Sequence, residues 1–162
     1  MSKLLIIDND PIYQTTAQLI INKNMLFDDC ISYTDARLAL NYLIEHRHHP
    51  EALPDVIFLN LNMPGMDGWN FLCQHEDLLP FLAKKIDVFI VTSSVDRKDE
   101  LRSHAYPFVQ GFYSKPLTLK ELIDISNFVT ATAIKYANLR QLATVSTDSL
   151  TGLSNHTKVK KK

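Results

Sequence analysis

The sequence contains little glycine, cysteine and tryptophan: its 162 residues include four glycines, two cysteines and one tryptophan. The first apolar run, Leu4–Ile7, leads into Asp8-Asn9-Asp10-Pro11, which is acidic and has no glycine. A glycine-rich backbone loop that cradles a phosphate therefore has no counterpart at this position. Nucleotide binding is for this reason only a distant alternative among the possible functions.

The small number of cysteines and the short first apolar run also argue against several other classes of protein. Cys30 and Cys73 lack C-x-x-C spacing and lie among apolar residues, so we expect two small buried thiols in a reducing compartment. The run Leu4–Ile7 is too short for the core of a signal peptide or for a membrane span. We therefore expect a cytoplasmic protein without a membrane partner.

Charge is nearly balanced along the chain, with 17 basic and 18 acidic residues and a formal net charge of −1. Four of the basic residues are the lysines at 158, 160, 161 and 162, so that residues 1–157 carry 13 basic against 18 acidic side chains. A mildly acidic body argues against a surface that binds nucleic acid. We expect no nucleic-acid partner, and we interpret the terminal lysines as a solvated end.

Short apolar runs alternate with longer helical patterns. The five predicted strands are Leu4–Ile7, Cys30–Tyr33, Val56–Leu59, Val88–Val91 and Phe108–Tyr113. The first predicted helix begins at Pro11, and the second covers residues 35–46 with Thr34 as its cap. The third and fourth cover residues 67–79 and 96–105. The fifth begins in a Thr118–Glu121 capping box. This strict alternation predicts an α/β fold, a doubly wound five-stranded parallel sheet.

Apolar spacing also predicts which helical faces are buried. The predicted stripes are Ile12, Thr16, Leu19 and Ile20 in the first helix, Ala36, Ala39, Leu40 and Leu43 in the second, and Trp69, Phe71, Leu72 and Leu78 in the third. The last helical pattern continues past residue 130. We therefore predict a domain over residues 2–128, a helical extension over 129–145 and a polar, disordered tail over 146–162. Because 34 residues follow Phe128, we expect that an output domain, if one is used, belongs to another chain.

Polar residues follow four of the predicted strands, where parallel sheets place their functional crevice. Four segments, in this order and at strand ends, resemble the receiver domains of response regulators in two-component signalling: Ile7–Asp10, Leu59–Gly68, Val91–Ser93 and Tyr113–Leu117. The resemblance covers roughly residues 2–128. It implies the chemotaxis-type, flavodoxin-like fold with strand order 2-1-3-4-5 and a cis peptide between Lys115 and Pro116.

The resemblance also implies a mechanism. In the family a carboxylate takes a phosphoryl group from a phosphohistidine or small phosphodonor, an acid pair and a backbone carbonyl hold Mg²⁺, and a hydroxyl, an aromatic ring and a lysine respond to the phosphoryl group. Carried over by position, these roles fall to Asn60 as acceptor, Asp8 and Asn9 as acid pair, Asn62 through its carbonyl, Thr92, Phe112 and Lys115. We expect Phe112 to be buried.

Two of these positions depart from the family pattern. Asn60 offers a neutral amide whose nitrogen lone pair is delocalised, so a stable acyl phosphate should not form. Asn9 removes a second negative charge, and since Mg²⁺ prefers anionic oxygen ligands, we expect Mg²⁺ binding to be weak or absent. A rescue acid such as Asp10, or an Asp at position 60 in the natural chain, would leave phosphorylation possible, although Asp10 is better placed to cap a helix.

These observations predict a receiver-like signalling module that is not an enzyme and that acts through protein contacts. Its partner would be a sensor histidine kinase or another signalling protein. The predicted contact face comprises the fourth helix, the fifth strand and the fifth helix, and its aromatic residues are Tyr106, Phe108, Phe112 and Tyr113. A homodimer through the last helix is a further expectation, because a lone helical extension needs something to pack against.

Overall fold

The structure, a computed structural model, describes residues 2–94 and 96–151, with side chains as far as residue 139. Five strands alternate with five α-helices in this part of the chain. The strands are β1 (Lys3–Ile7), β2 (Asp29–Tyr33), β3 (Val56–Leu59), β4 (Asp87–Thr92) and β5 (Val109–Ser114). The helices are α1 (Pro11–Lys23), α2 (Ala36–Glu45), α3 (Gly68–Leu78), α4 (Arg97–Ser103) and α5 (Leu119–Thr151), and a 3₁₀ turn covers Leu79–Phe81.

The strands form one parallel sheet in the order β2-β1-β3-β4-β5. This confirms the predicted fold class and strand order. Because β1 pairs with β2 on one side and β3 on the other, the chain reverses its winding direction beside β1. The carboxyl ends of β1 and β3 are direct neighbours, since Ile7 pairs with Leu59.

Both faces of the sheet are covered. Leu5 and Ile57 belong to the core on one face, whereas Leu4 and Val56 belong to the core on the other. Successive side chains of a strand point to opposite faces, so a strand that is buried on both sides is apolar along most of its length. This explains why β1 and β3 were recognisable as uninterrupted apolar runs.

Side chains at the helix starts fix where the chain turns. The Asp10 carboxylate caps α1, and Thr118 forms the predicted capping box with Glu121, whose backbone N–H lies 3.2 Å from the Thr118 hydroxyl oxygen. The predicted cap of α2 was wrong by one residue. Asp35, not Thr34, accepts a hydrogen bond from the Arg37 backbone N–H at 2.8 Å. The negative charge of a carboxylate also interacts favourably with the positive end of the helix dipole, and a neutral hydroxyl group interacts with it more weakly.

The buried face of α1 differs from the predicted stripe, whereas that of α2 is confirmed. Ile12 and Leu19 are 77% and 66% exposed. The helix instead buries Gln14, Ala17 and Ile21, three residues at i, i+3 and i+7. Gln14 is buried although it is polar, because its side-chain amide donates hydrogen bonds to backbone carbonyls at the carboxyl ends of β1 and β2, as described below.

The expectation of two buried thiols was also wrong. Cys73 is exposed and Cys30 is half-buried. Within α3 the buried side chains include Phe71, Leu72 and His75, so Cys73 falls on the opposite side of the helix. Burial raises the pKa of the Cys30 thiol to about 11, which makes this thiol unreactive.

The last helix is longer than predicted: α5 continues to Thr151, whereas the sequence indicated an end at Val145. The rest of the predicted tail, residues 152–162, lies outside the described residues. The chain divides into two units, Met1–Val129 with the sheet and Thr130–Lys162 with the later part of α5. No helix in the described part of the chain is both long and apolar enough to cross a lipid bilayer.

Candidate functional site

The carboxyl ends of β1, β3, β4 and β5 carry the polar residues that the sequence singled out. Asp8, Asn60 and Thr92 form the buried base of this site, with exposed fractions of 1%, 5% and 0%. Asn9 and Asn62 are exposed and form its rim. The backbone N–H of Asn60 donates to the Ile7 carbonyl at 2.9 Å, which extends the sheet pairing by one residue and brings Asn60 beside Asp8.

The Asp8 carboxylate is fully engaged. Its Oδ1 accepts a hydrogen bond from the backbone N–H of Asp10 at 3.0 Å. Its Oδ2 forms an ion pair with the Lys115 ammonium group, whose side chain is 13% exposed. The same ammonium lies 4.5 Å from the ring centroid of Tyr13, a cation–π contact. The one carboxylate at the base of the site therefore already has its counter-ion.

The Asn60 amide bridges the two loops that form the rim. Its Nδ2 group donates to Asn9 Oδ1 at 3.1 Å and to the Asn62 backbone carbonyl at 3.0 Å. The amide orientation follows from this chemistry, because only the NH₂ end can face two acceptor oxygens. Within the part of the chain that the structure describes, the buried Asn60 Oδ1 has no hydrogen-bond partner.

Asp10 points away from this site, as the sequence predicted. Its Oδ1 accepts hydrogen bonds from the backbone N–H groups of Ile12 at 2.9 Å and Tyr13 at 3.1 Å. These are two of the N–H groups that a helix start leaves without an intrahelical acceptor. The carboxylate is thus committed to the first turn of α1.

Two functional residues were missed by sequence reasoning, and both lie in α1. The Gln14 amide donates to the carbonyl oxygens of Asp8 at 2.7 Å and Tyr33 at 2.8 Å, and so joins the ends of β1 and β2. Tyr13 supplies the ring beneath Lys115, and burial together with the Asp8 charge raises the pKa of its phenol. The available signal was a second phase of the α1 pattern, Gln14, Ala17 and Ile21, which a search for apolar residues alone overlooks.

Gly68 allows α3 to begin directly against the end of β3. A Cβ atom at this position would lie 2.5 Å from the Asn60 carbonyl oxygen and 2.8 Å from the Leu61 Cα. Both are backbone atoms, which cannot move aside as a flexible side chain would. The Gly68 N–H donates to the Leu61 carbonyl at 2.8 Å, so the close approach also makes a hydrogen bond.

Thr92 is hydrogen-bonded to Ser94 and Lys115, whereas Phe112 packs against the apolar core. The Thr92 carbonyl accepts a hydrogen bond from the Lys115 N–H at 2.9 Å, and its hydroxyl oxygen accepts one from the Ser94 N–H at 3.2 Å. Phe112 is half-buried rather than buried, and it packs against the apolar core on the α3 side of the sheet. The switch roles carried over for Thr92 and Phe112 stay predictions. The Lys115-Pro116 peptide is cis, as the resemblance implied.

The donor atoms around Asn60 fit Mg²⁺ poorly. Mg²⁺ prefers octahedral coordination by hard, anionic oxygens. Here Asp8 supplies the one carboxylate, and both of its oxygens are engaged by Asp10 and Lys115. The oxygens of Asn9 and Asn62 both accept hydrogen bonds from Asn60, which leaves the neutral Asn60 Oδ1 as the unpaired oxygen of the described site. Among the described residues, no three His, Cys, Asp or Glu side chains are grouped so that they could hold a metal ion.

Comparisons with known proteins agree with the resemblance of the strand-end segments. The family model described as "Response regulator receiver domain" matches residues 4–127. Fimbriae Z protein of Salmonella typhimurium is 28% identical over 133 residues, which cover 79% of this chain and 54% of that protein. Glycerol metabolism activator of Pseudomonas putida is 28% identical over 124 residues, which cover 76% of this chain and 52% of that protein. The chain thus spans about half the length of these curated relatives.

Solved structures show the same architecture. A two-component response regulator from Cytophaga hutchinsonii superposes with a TM-score of 0.70 at 28% identity, covering 81% of this chain and 98% of that one. A two-component response regulator from Legionella pneumophila gives a TM-score of 0.69 at 23% identity, covering 81% and 99%. At 23% identity, the likeness to the Legionella pneumophila protein concerns the fold alone.

Proposed function

The chain belongs to the family of response regulator receiver domains, and from this premise we propose that it signals through protein contacts without carrying a phosphoryl group on Asn60. Receiver domains work with histidine kinases and other signalling proteins in two-component systems. We propose a partner of this kind, and we expect the domain to bind it without catalysing a reaction. A cytoplasmic location stays a prediction.

The Asn60 amide is the observation that carries the proposal. A phosphoacceptor needs an oxygen nucleophile with negative charge, whereas an amide is neutral and its nitrogen lone pair is delocalised. In addition, the Nδ2 group is occupied by hydrogen bonds to Asn9 and Asn62. Lys115, which would neutralise an incoming phosphoryl group, is already paired with Asp8 and lies over Tyr13. An incoming phosphoryl group would therefore have to displace interactions that the protein has already formed.

The same ion pair and hydrogen bonds support the proposal that Mg²⁺ binds only weakly. Receiver domains generally bind Mg²⁺ at the acidic site. In this chain a cation would have to displace Lys115 from Asp8 and Asn60 from Asn9 before it reached the oxygens. The gain from a single carboxylate is small against the loss of these contacts. We therefore propose that Mg²⁺ is not needed for this domain to bind its partner.

The proposed contact surface is the face formed by α4, β5 and α5. Tyr106 and Tyr113 are half-buried there, and Leu101 and Leu119 are 59% and 45% exposed. Large apolar side chains that are only partly covered are typical of binding surfaces. Phe108, which the sequence analysis assigned to this face, is only 6% exposed and belongs to the core, so it is not part of the proposed surface.

A small phosphodonor with Mg²⁺, followed by intact-mass measurement, tests the proposal. We expect no added mass of about 80 Da, the mass of one phosphoryl group. A hydroxylamine-labile phosphate on the native protein would contradict the proposal. An Asp10→Asn variant would then show whether Asp10 is the acceptor, although its carboxylate is engaged in capping α1.

Self-association through α5 is a second part of the proposed function. Ile134 and Leu139 are 57% and 51% exposed, which leaves apolar surface on the helix for a second copy to cover. We expect light scattering to report a dimer for the native protein and a monomer for the variant Ile134→Ser/Leu139→Ser. Ala133→Ser/Ala137→Ser, which changes two exposed residues of the same segment, serves as the matched control. A native monomer would contradict the dimer.

A further inference from the structure

We infer that the Asn60 amide is a built-in substitute for a divalent cation. At a carboxylate site, a cation holds the oxygens of neighbouring strand ends together. Here the amide joins the loop after β1, through Asn9 Oδ1, to the loop after β3, through the Asn62 carbonyl. This inference concerns the stability of the site rather than phosphoryl transfer. It therefore stands or falls separately from the proposed function, although it concerns the same residues.

Four of the five candidate ligand oxygens face hydrogen-bond donors, and the fifth, Asn60 Oδ1, has no hydrogen-bond partner among the described residues. The two Asp8 oxygens face the Asp10 N–H and the Lys115 ammonium, and the Asn9 and Asn62 oxygens face Asn60 Nδ2. For the buried Asp8 oxygens, a missing partner would be destabilising, whereas the oxygens of the exposed Asn9 and Asn62 are held in place by the amide rather than protected from water. At these four oxygens protein N–H groups therefore take the place of a metal ion, with Asn60 as the residue that spans the two loops.

Converting Asn60 to Asp would reverse this arrangement. The NH₂ group would become a second carboxylate oxygen, directed at the oxygens of Asn9 and Asn62 at about the same distances. The hydrogen bond to the Asn62 backbone carbonyl would be replaced by an oxygen–oxygen contact, and the Asn9 side chain would have to turn its amide over to donate instead of accept. A divalent cation would relieve this contact, because it binds oxygens that repel one another. Asn60→Asp should therefore make the stability of the protein depend on a cation.

Converting Asn9 to Asp provides the matched comparison. It adds the same single negative charge to the same site but keeps the Asn60 NH₂ group as a donor, and it strengthens the acceptor that this group faces. If charge crowding alone mattered, the two variants would lose stability equally. If Asn60 acts as the cation substitute, Asn60→Asp loses much more. Asn41→Asp, an exposed position on α2, controls for the substitution itself.

Thermal unfolding of the full chain in EDTA and in millimolar Mg²⁺ tests the inference. In EDTA we expect Asn60→Asp to lower the melting temperature by about 5 °C or more, and Asn9→Asp by much less. In Mg²⁺ the melting temperature of Asn60→Asp should rise, since a ligand that binds only the folded state stabilises it. The native protein and Asn41→Asp should melt at the same temperature in both solutions.

Two results would overturn the inference. One is a melting temperature of the native protein that rises saturably with Mg²⁺. The other is an equal loss in EDTA for Asn60→Asp and Asn9→Asp. If Asn60→Asp fails to fold in EDTA, refolding in Mg²⁺ replaces the melt: recovery supports the inference, and failure in both solutions overturns it. A phosphorylated native protein would contradict the proposed function while leaving these melts as a separate test.

Discussion

Asn60 and His75 are both buried polar side chains, but they differ in their hydrogen bonding. Asn60 is 5% exposed and uses its NH₂ group for two hydrogen bonds at the carboxyl ends of β1 and β3, although its Oδ1 has no partner among the described residues. His75, in α3, is 0% exposed, and among the described residues neither of its ring nitrogens has a hydrogen-bond partner. Since unpaired buried polar atoms are destabilising, the two side chains must be accommodated in different ways.

His75 is accommodated as a neutral ring among aromatic side chains. It stacks on Phe71 with ring centroids 5.8 Å apart, and the Phe108 ring meets it edge-on at 5.1 Å. Burial lowers the pKa of His75 to about 4, so it carries no charge near neutral pH. The comparison shows that hydrogen bonds fix the orientation of the Asn60 amide relative to its neighbours. Apolar packing instead keeps His75 uncharged, so that acid should destabilise the fold around it.

The largest effect that we expect is the acid sensitivity due to His75. The pKa of this side chain is 6.5 in the unfolded chain and about 4 in the folded protein. As the pH falls from 6.5 to 4, the unfolded chain takes up a proton that the folded protein does not. The free energy of unfolding should therefore fall by about 3 kcal/mol over this range, and should not change above it on account of His75.

Denaturant melts of the native protein and of His75→Leu, recorded between about pH 7 and about pH 4, measure this effect. This range includes the pKa of His75 in the unfolded chain and in the folded protein. Carboxylates also titrate in this range, so the difference between the two proteins is the relevant quantity. We expect His75→Leu to lose less stability than the native protein on acidification. Parallel curves would show that His75 becomes protonated in the folded protein as readily as in the unfolded chain.

Gly68→Ala should disrupt the other side of the comparison, the Asn60 site. The new Cβ would meet the Asn60 carbonyl oxygen at 2.5 Å, so α3 or the end of β3 must shift. We expect a loss of about 2–3 kcal/mol in the free energy of unfolding. Gly65→Ala is the control. It meets no atom closer than 3.6 Å but has a φ of +78°, so it should lose only about 1 kcal/mol. Equal losses would show that space at Gly68 is not the constraint.

Gln14→Ala should reveal how strongly α1 holds the strand ends. It removes the donor that serves the Asp8 and Tyr33 carbonyls, and we expect a loss of about 2 kcal/mol in the free energy of unfolding. Gln18→Ala, one turn further along α1, removes a hydrogen bond to the Ser32 hydroxyl at 3.1 Å and a contact with the Cys30 thiol, and should lose less than about 1 kcal/mol. A reversed order in urea melts would contradict the role of Gln14.

Arg102→Ala should have the smallest effect. The aromatic cluster around His75 continues through Phe108 and Tyr106 to Trp69, and the Arg102 guanidinium lies 4.2 Å from the Trp69 ring centroid. Removing this cation–π contact should lower the free energy of unfolding by about 0.5–1 kcal/mol and change the tryptophan fluorescence. Arg97→Ala, an exposed residue of the same helix, should change neither quantity.

The fold was predictable because the sheet imposes simple patterns on the sequence. A strand such as β3 that is covered on both faces is apolar along most of its length, and this pattern is visible in Val56–Leu59. The face of α1 was not predictable in the same way. The apolar positions Ile12 and Leu19 indicated one face, but hydrogen bonding of Gln14 to the strand ends places Ala17 and Ile21 inside.

The site was predictable as a set of residues but not as a set of contacts. Strand ends and the family resemblance identified Asp8, Asn60 and Lys115. The hydrogen bonds of the Asn60 amide to Asn9 and the Asn62 carbonyl depend on distances of about 3 Å between the loops that follow β1 and β3. No spacing along the chain encodes such distances. The contact of Tyr13 with Lys115 joins α1 to the end of β5 and was hidden for the same reason.

The central position of β1 has a consequence for folding during protein synthesis. Because β1 pairs with both β2 and β3, the chain up to Asn62 already contains three neighbouring strands. It also contains both of the loops that Asn60 bridges. A ribosome adds about 5–20 residues per second, so this segment leaves the exit tunnel seconds before β5 and Lys115 do. The growing chain can therefore join these two loops first and add the cation of Lys115 last.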